Sequence, residues 1–213
     1  YSYQDILKVI KVSKSSLSLW LKNIKLSEEQ QSHLNTRVES GHLLGAKAAR
    51  DKRLLISKQI KNNAIEEIGK ISKSEMLMLG AMLYWGEGSK QSDRNVSQGI
   101  EFVNSDARMC KFFIKWITET VGASISSLVF RVYINEAKRG NSKEYIDVWS
   151  KIISIRSELI KVCFTKDRHS NLKRSSRDNY KGQLKIVVYK STNLNRRIAG
   201  LIDGICLQSG IAI

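Results

Sequence analysis

The sequence predicts an α+β fold: two short N-terminal helices, a long basic helical linker, and a domain in which helices cover an antiparallel sheet. Three observations predict it. Apolar and polar residues alternate in "QGIEFVN" (98–104), "SLVFRVYINE" (127–136) and "GQLKIVVYK" (182–190), as they do in strands with one buried face. Between these runs, apolar residues recur at the three- and four-residue spacing of helices. Near residue 73 a lysine- and arginine-rich, helix-favouring stretch gives way to this mixed pattern, which marks a domain boundary.

The elements follow in order. In residues 1–26, Ser2 caps a first helix with Ile6, Leu7 and Ile10 on its apolar face. Lys11 and Val12 make a tight corner, and Ser13 caps a second helix in which Leu17, Trp20 and Leu21 point inward. This reads as a helix-turn-helix, with Lys14, Ser15, Ser16, Ser18 and Lys22 outward on the second helix. Short hydroxyls and lysines suit a helix entering a major groove, whereas an ordinary helical hairpin packing on another element is the plainer alternative. Ser27 and the acids after it start a linker over 27–72, with Gly41, Gly45 and Gly69 as possible breaks. Its crowded cations, Arg50 and Arg53 among them, fit either a solvated helix or an arm tracking phosphates.

In the third segment, 73–213, a helix over Ser74–Gly88 precedes the polar run "SKQSDRN" and a short strand near 89–93. After strand 98–104, "NSD" caps a helix over 106–121 that Gly122 closes. Strand 127–136, an amphipathic helix over 142–155, a short strand over 161–166, strand 182–190 and a last helix over 192–207 complete the domain.

The chain has 213 residues, a formal net charge of +16 and a pI near 9.8. So large an excess points to a polyanionic partner, nucleic acid first and an acidic membrane surface second. No apolar run approaches the roughly 18 residues of a membrane span, and no signal-peptide pattern opens the chain. Three dispersed cysteines, Cys110, Cys163 and Cys206, predict reduced, buried thiols in a cytoplasmic protein. They form no ligand pattern with the three histidines, which argues against structural zinc.

The stretch "LMLGAMLYWGEGSK" (77–90) resembles the signature of the LAGLIDADG homing endonucleases. With Gly88 at the motif's last glycine, Glu87 stands at the catalytic acid and Gly86 at the small residue before it. Ala81 and Leu83 match directly; Tyr84 replaces an aliphatic residue, Met82 a glycine and Gly80 a leucine. The order of elements over 73–213 is similar to that family's, with the helix at 142–155 and the strand at 161–166 as additions. The C-terminal "IAGLIDG" (198–204) spells the motif more closely, but motif register puts Ile205 at the acid position and only nine residues remain after Gly204. We therefore read it as a closing helix whose small residues pack on the sheet.

The resemblance implies a saddle-shaped antiparallel sheet lying on duplex DNA. It implies a homodimer in which Gly80, Leu83 and Tyr84 pack against a second copy. Glu87, with Gly86 beside it, would share Mg²⁺ ions with its mate and cut both strands. The same resemblance points to an assisting lysine, Lys190 at the end of the last strand, with Lys185 as the competitor. On strand 127–136 either Arg131, Tyr133 and Asn135 or Val129, Val132 and Ile134 face DNA, and the polar set is expected. Gln183, Lys185 and Tyr189 are the comparable residues of strand 182–190. The basic loop 166–182, with Arg168, Lys173, Arg174 and Arg177, is either solvated or in contact with DNA. Two functions stand side by side: a Mg²⁺-dependent endonuclease, and a non-cleaving regulator, since WhiA-type sporulation regulators pair this scaffold with a helix-turn-helix. A membrane-surface or RNA-binding role ranks behind both.

Overall fold

The computed structural model describes residues 1–165 and 180–212. The chain divides into two compact units, Tyr1–Gly69 and Lys70–Ile213, so the first two expected segments fall in one unit.

The first unit is helical. Helix α1 (Tyr3–Val9) is capped by Ser2, whose side chain and that of Asp5 satisfy each other's backbone N–H groups. Helix α2 (Lys14–Leu21) starts at Ser13, which accepts from the N–H of Ser16. Leu17 is buried as expected, but Trp20 is 61% exposed and does not point inward. Helix α3 (Glu28–Ile68) begins at a Ser27–Gln30 capping box and runs unbroken for 41 residues. Gly41 and Gly45 do not interrupt it: each weakens a helix by only about 1 kcal/mol, which a long run of good helix formers offsets. Gly69, at a φ of 59° that a side chain disfavours, is where it stops.

In the second unit, Ser72 caps helix α4 (Lys73–Glu87) in a box with Glu75, whose carboxyl those hydrogen bonds hold below the ordinary carboxylate range. Strand β1 (Glu101–Asn104) leads through Asn104 and Asp106 into helix α5 (Ala107–Lys115). Asp106 accepts from the N–H of Arg108 and from its guanidinium, which brings its pKa down to about 2. A wider turn, Trp116–Thr120, extends α5 to Gly122 at φ 92°. Strand β2 (Leu128–Asn135), helix α6 (Ser142–Ile153), strand β3 (Ile160–Thr165), strand β4 (Gln183–Val188) and helix α7 (Thr192–Gln208) follow. The expected strand near 89–93 is absent: single bridges, Gly88 with Phe102 and Ser92 with Asn95, stand in its place.

The four strands form one sheet in the order β1-β4-β2-β3. Strand β4 runs antiparallel to β1 and β2, but β2 and β3 are parallel. This corrects the all-antiparallel expectation. Parallel neighbours need a crossover of a dozen or so residues, and α6 supplies it, so the apparent insertion is a β–α–β unit within the sheet.

Helices α4 to α7 put residues into a single core against one face of the sheet. Tyr84 and Ala81 of α4, Phe113 of α5, Trp149 and Ile153 of α6 and Ile198 and Ile202 of α7 meet Phe102, Phe130, Val132, Leu184 and Ile186. The rings of Phe102 and Phe113 stack at 4.4 Å. Against expectation, α7 does not pack through its small residues: Ala199 and Gly200 are exposed, and Ile198, Ile202 and Cys206 carry the contact. The same helix holds the 89–99 loop. The buried Asn195 amide donates to the carbonyls of Ser89, Gln98 and Gly99 at 3.0–3.2 Å.

Gly80 and Tyr84 are turned into this core, which corrects their expected place at a dimer interface. The fully buried Trp116 ring lies against Gly80, where an added methyl would sit 2.1 Å from Cδ1. Tyr84 is 1% exposed, and burial pushes its phenol pKa up. Leu83 is half-buried against the same core. Because the ring it would meet is fully buried, Gly80→Ala is expected to cost about 3 kcal/mol and lower Tm by about 10 °C in a thermal melt. Gly86, with open space around it, should accept alanine with little change.

Candidate nucleic-acid interface

The alternation that buries Phe130, Val132, Leu184 and Ile186 turns their neighbours to the other face of the sheet. Register decides who meets whom there. Lys185 of β4 stands opposite Arg131 of β2, and Arg131 is level with Lys161 of β3. Three cations thus form one row across three adjacent strands. One step along, Gln183, Tyr133 and Cys163 form a second row. Lys161 and Gln183 are exposed, while Arg131, Tyr133, Lys185 and Cys163 are half-buried. Like charges directly opposite on one face destabilise a sheet by a few tenths of a kcal/mol or more. A single carboxylate relieves one end: Glu101 of β1, placed diagonally, contacts the Lys185 ammonium at 2.6 Å. Among the described residues, Arg131 and Lys161 have no acidic partner.

Glu87 lies at the β1 edge of the sheet. Gly88, the residue after it, bridges Phe102, and the Ser89 N–H donates to the Glu101 carbonyl at 2.9 Å. Phe102 in turn pairs with Ile186, the neighbour of Lys185. A side chain at Gly88 would run into the Tyr84 ring at 2.2 Å, so glycine lets α4 close onto the sheet edge here. Glu87 is exposed and, among the described residues, has no hydrogen-bond or ion-pair partner. The last carbonyls of α4, Gly86's included, have no intrahelical donor. A free carboxylate beside bare carbonyl oxygens is a donor set that fits a hard divalent cation. No group of three or more His, Cys, Asp or Glu residues gathers among the described residues.

Lys190 lies two residues beyond the end of β4 at Val188, in a turn. It takes the left-handed backbone region at φ 52°, with its ammonium 5.5 Å from the Tyr189 ring centre. Lys185 stands within the row of cations, and Lys190 lies outside the paired strand. Asn135 does not join the face either. It is 9% exposed, and its side chain accepts from the Ala137 N–H to start the turn after β2.

On α2, Lys14, Ser15, Ser18 and Lys22 are exposed and Ser16 is half-buried. The Ser15 and Ser16 hydroxyls each lie 2.8 Å from that of Ser13, so capping occupies them. Arg50 and Arg53 are exposed on α3, where Arg53 Nε donates to the Ala49 carbonyl. Arg168, Lys173, Arg174 and Arg177 lie outside the described residues. Sequence reasoning missed Lys161 and Glu101. Their signal is the alternation in "IKVCFT" and "EFVN", and it becomes informative only once β3 is known to lie beside β2.

The outward face of α4 carries a second feature. Met78, Leu79, Met82 and Trp85 are 42–47% exposed and recur at helical spacing, an uncovered apolar stripe that ends one turn short of Gly88. No helix among the described residues is long and apolar enough to cross a membrane. Comparisons with models of known protein families, with curated proteins and with solved structures give no match.

Proposed function

We propose that this chain binds duplex DNA on the open face of its sheet and acts as a homodimeric, Mg²⁺-dependent endonuclease of the LAGLIDADG type. The observation that carries the DNA reading is the row Lys185–Arg131–Lys161. Adjacent strands present like charges to one another on the face opposite the core that helices α4 to α7 cover, an arrangement a phosphate backbone between them would turn from repulsive to favourable. The net charge of +16 agrees in sign. In this reading the sheet curves as a saddle over the duplex, Arg131 and Lys161 neutralise phosphates, and Tyr133 and Gln183 face base edges.

Cleavage is assigned to Glu87. Its carboxylate and the Gly86 carbonyl would hold a divalent cation, which when bound polarises the scissile phosphate and acidifies an attacking water. In this reading Gly88, bridged to Phe102, docks the helix end and Glu87 with it at the β1 edge of the sheet. Two such sites, one per strand, require a second copy. The uncovered stripe Met78–Leu79–Met82–Trp85 replaces the Gly80–Tyr84 face as the proposed two-fold contact. Met82→Asp is therefore expected to weaken self-association by about tenfold or more, read as a shift from dimer to monomer in sedimentation equilibrium. An unchanged sedimentation profile for a dimeric wild type would move the interface elsewhere.

The first helix pair supports a second reading, a non-cleaving regulator. Helices α1 and α2, with Lys14, Ser18 and Lys22 exposed, are a candidate reading head that a nuclease of this design does not need. Incubating the full chain with a supercoiled plasmid library and Mg²⁺ separates the two: linear product supports the nuclease, and protection of one site without cutting supports the regulator.

A further inference from the structure

The geometry points to Glu101 as a residue that sets how tightly the sheet grips DNA, by withholding Lys185 from the phosphates. This rests on the DNA reading above and assigns a role in it to the carboxylate that, among the described residues, pairs with a cation of the row. Glu101 and Lys185 sit on adjacent antiparallel strands, diagonal to each other. Their side chains are 30% and 19% exposed, and the Nζ–Oε2 distance is 2.6 Å. Arg131 and Lys161, the other two cations of the row, have no such partner among the described residues. The ion pair as a whole carries no net charge toward a passing phosphate. The open face therefore presents two phosphate-binding charges and one neutral pair.

The pair also explains why a lysine persists opposite Arg131: Glu101 offsets the repulsion that the register imposes. For recognition the consequence is a lower affinity for any duplex regardless of sequence. The contribution of Tyr133 and Gln183 at base edges then forms a larger share of the total, and specificity is a ratio of that kind.

The test is the salt dependence of binding to a fluorescein-labelled 30-base-pair duplex of random sequence, measured by anisotropy with the full chain. Glu101→Gln frees one cation, so the slope of log K against log salt should steepen by about 0.9 and binding in 0.1 M salt should tighten about eightfold. The double variant Glu101→Gln/Lys185→Met removes the neutral pair as a unit and should reproduce the wild-type slope. The slope counts ionic contacts, so a general loss of stability would not mimic this pattern. An unchanged slope for Glu101→Gln, or a double variant shallower by about one contact, would show that Lys185 already reaches phosphate and would overturn the inference. A wild type that binds no duplex at all would instead remove the DNA reading itself.

Discussion

Glu87→Gln is expected to bind duplex DNA within about twofold of wild type and to lose about a thousandfold in Mg²⁺-dependent cleavage. The size of the loss follows from the chemistry. A carboxylate that holds a divalent cation at a scissile phosphate contributes several kcal/mol of charge stabilisation, and about 1.4 kcal/mol is a factor of ten. Glutamine keeps the shape and one oxygen but gives up the charge. Folding should be untouched, because Glu87 is exposed and makes no hydrogen bond or ion pair among the described residues. Wild type and variant that bind one site equally, with neither cutting in Mg²⁺, would establish the regulator in place of the nuclease.

The second large effect is expected from Arg131→Leu/Lys161→Leu. Two phosphate contacts disappear, so the salt slope should become shallower by about 1.8 and affinity in 0.1 M salt should fall by about sixtyfold. The free protein should at the same time gain a few tenths of a kcal/mol, because two cations facing each other across the strands are removed. The opposite signs are what make the variant informative. Binding weakened by damage to the fold would come with a lower Tm, whereas this variant should bind worse and melt slightly higher.

Much of the local structure was legible because it depends on neighbours in sequence. Ser2, Ser13 and Ser27 were readable as caps from their hydroxyls and the residues three places on, and each accepts the hydrogen bond that such spacing implies. Alternation located β1, β2 and β4 and put Arg131, Tyr133, Gln183 and Lys185 on the side away from the core.

What depended on distant partners was not legible. That α6 is a crossover, and so brings β3 parallel to β2, lies in the pairing and not in the pattern of either segment. Lys161 therefore looked like an ordinary surface lysine until it stood level with Arg131. The orientation of α4 misled for a related reason. Gly80, Leu83, Tyr84 and Glu87 share a helical face, but which face meets the core depends on the Trp116 ring that Gly80 accommodates. The stripe left outside, Met78 to Trp85, is the complement of that choice. Trp20 was assigned inward on hydrophobicity alone, although a large aromatic at the end of a two-turn helix has little to bury against.

The claim on which the account depends, that duplex DNA lies on the open sheet face, has a built-in reporter. Cys163 sits on that face level with Tyr133, half-buried, while Cys110 and Cys206 are buried on the other side of the sheet. Burial also pushes the Cys110 thiol up to about 12, so that thiol stays unreactive at neutral pH. The decisive measurement is the rate of iodoacetamide labelling at each cysteine, read by mass spectrometry with and without saturating duplex. The account predicts that DNA slows labelling of Cys163 and leaves the two buried thiols unlabelled throughout. A Cys163 rate that does not change when the duplex is bound would contradict it.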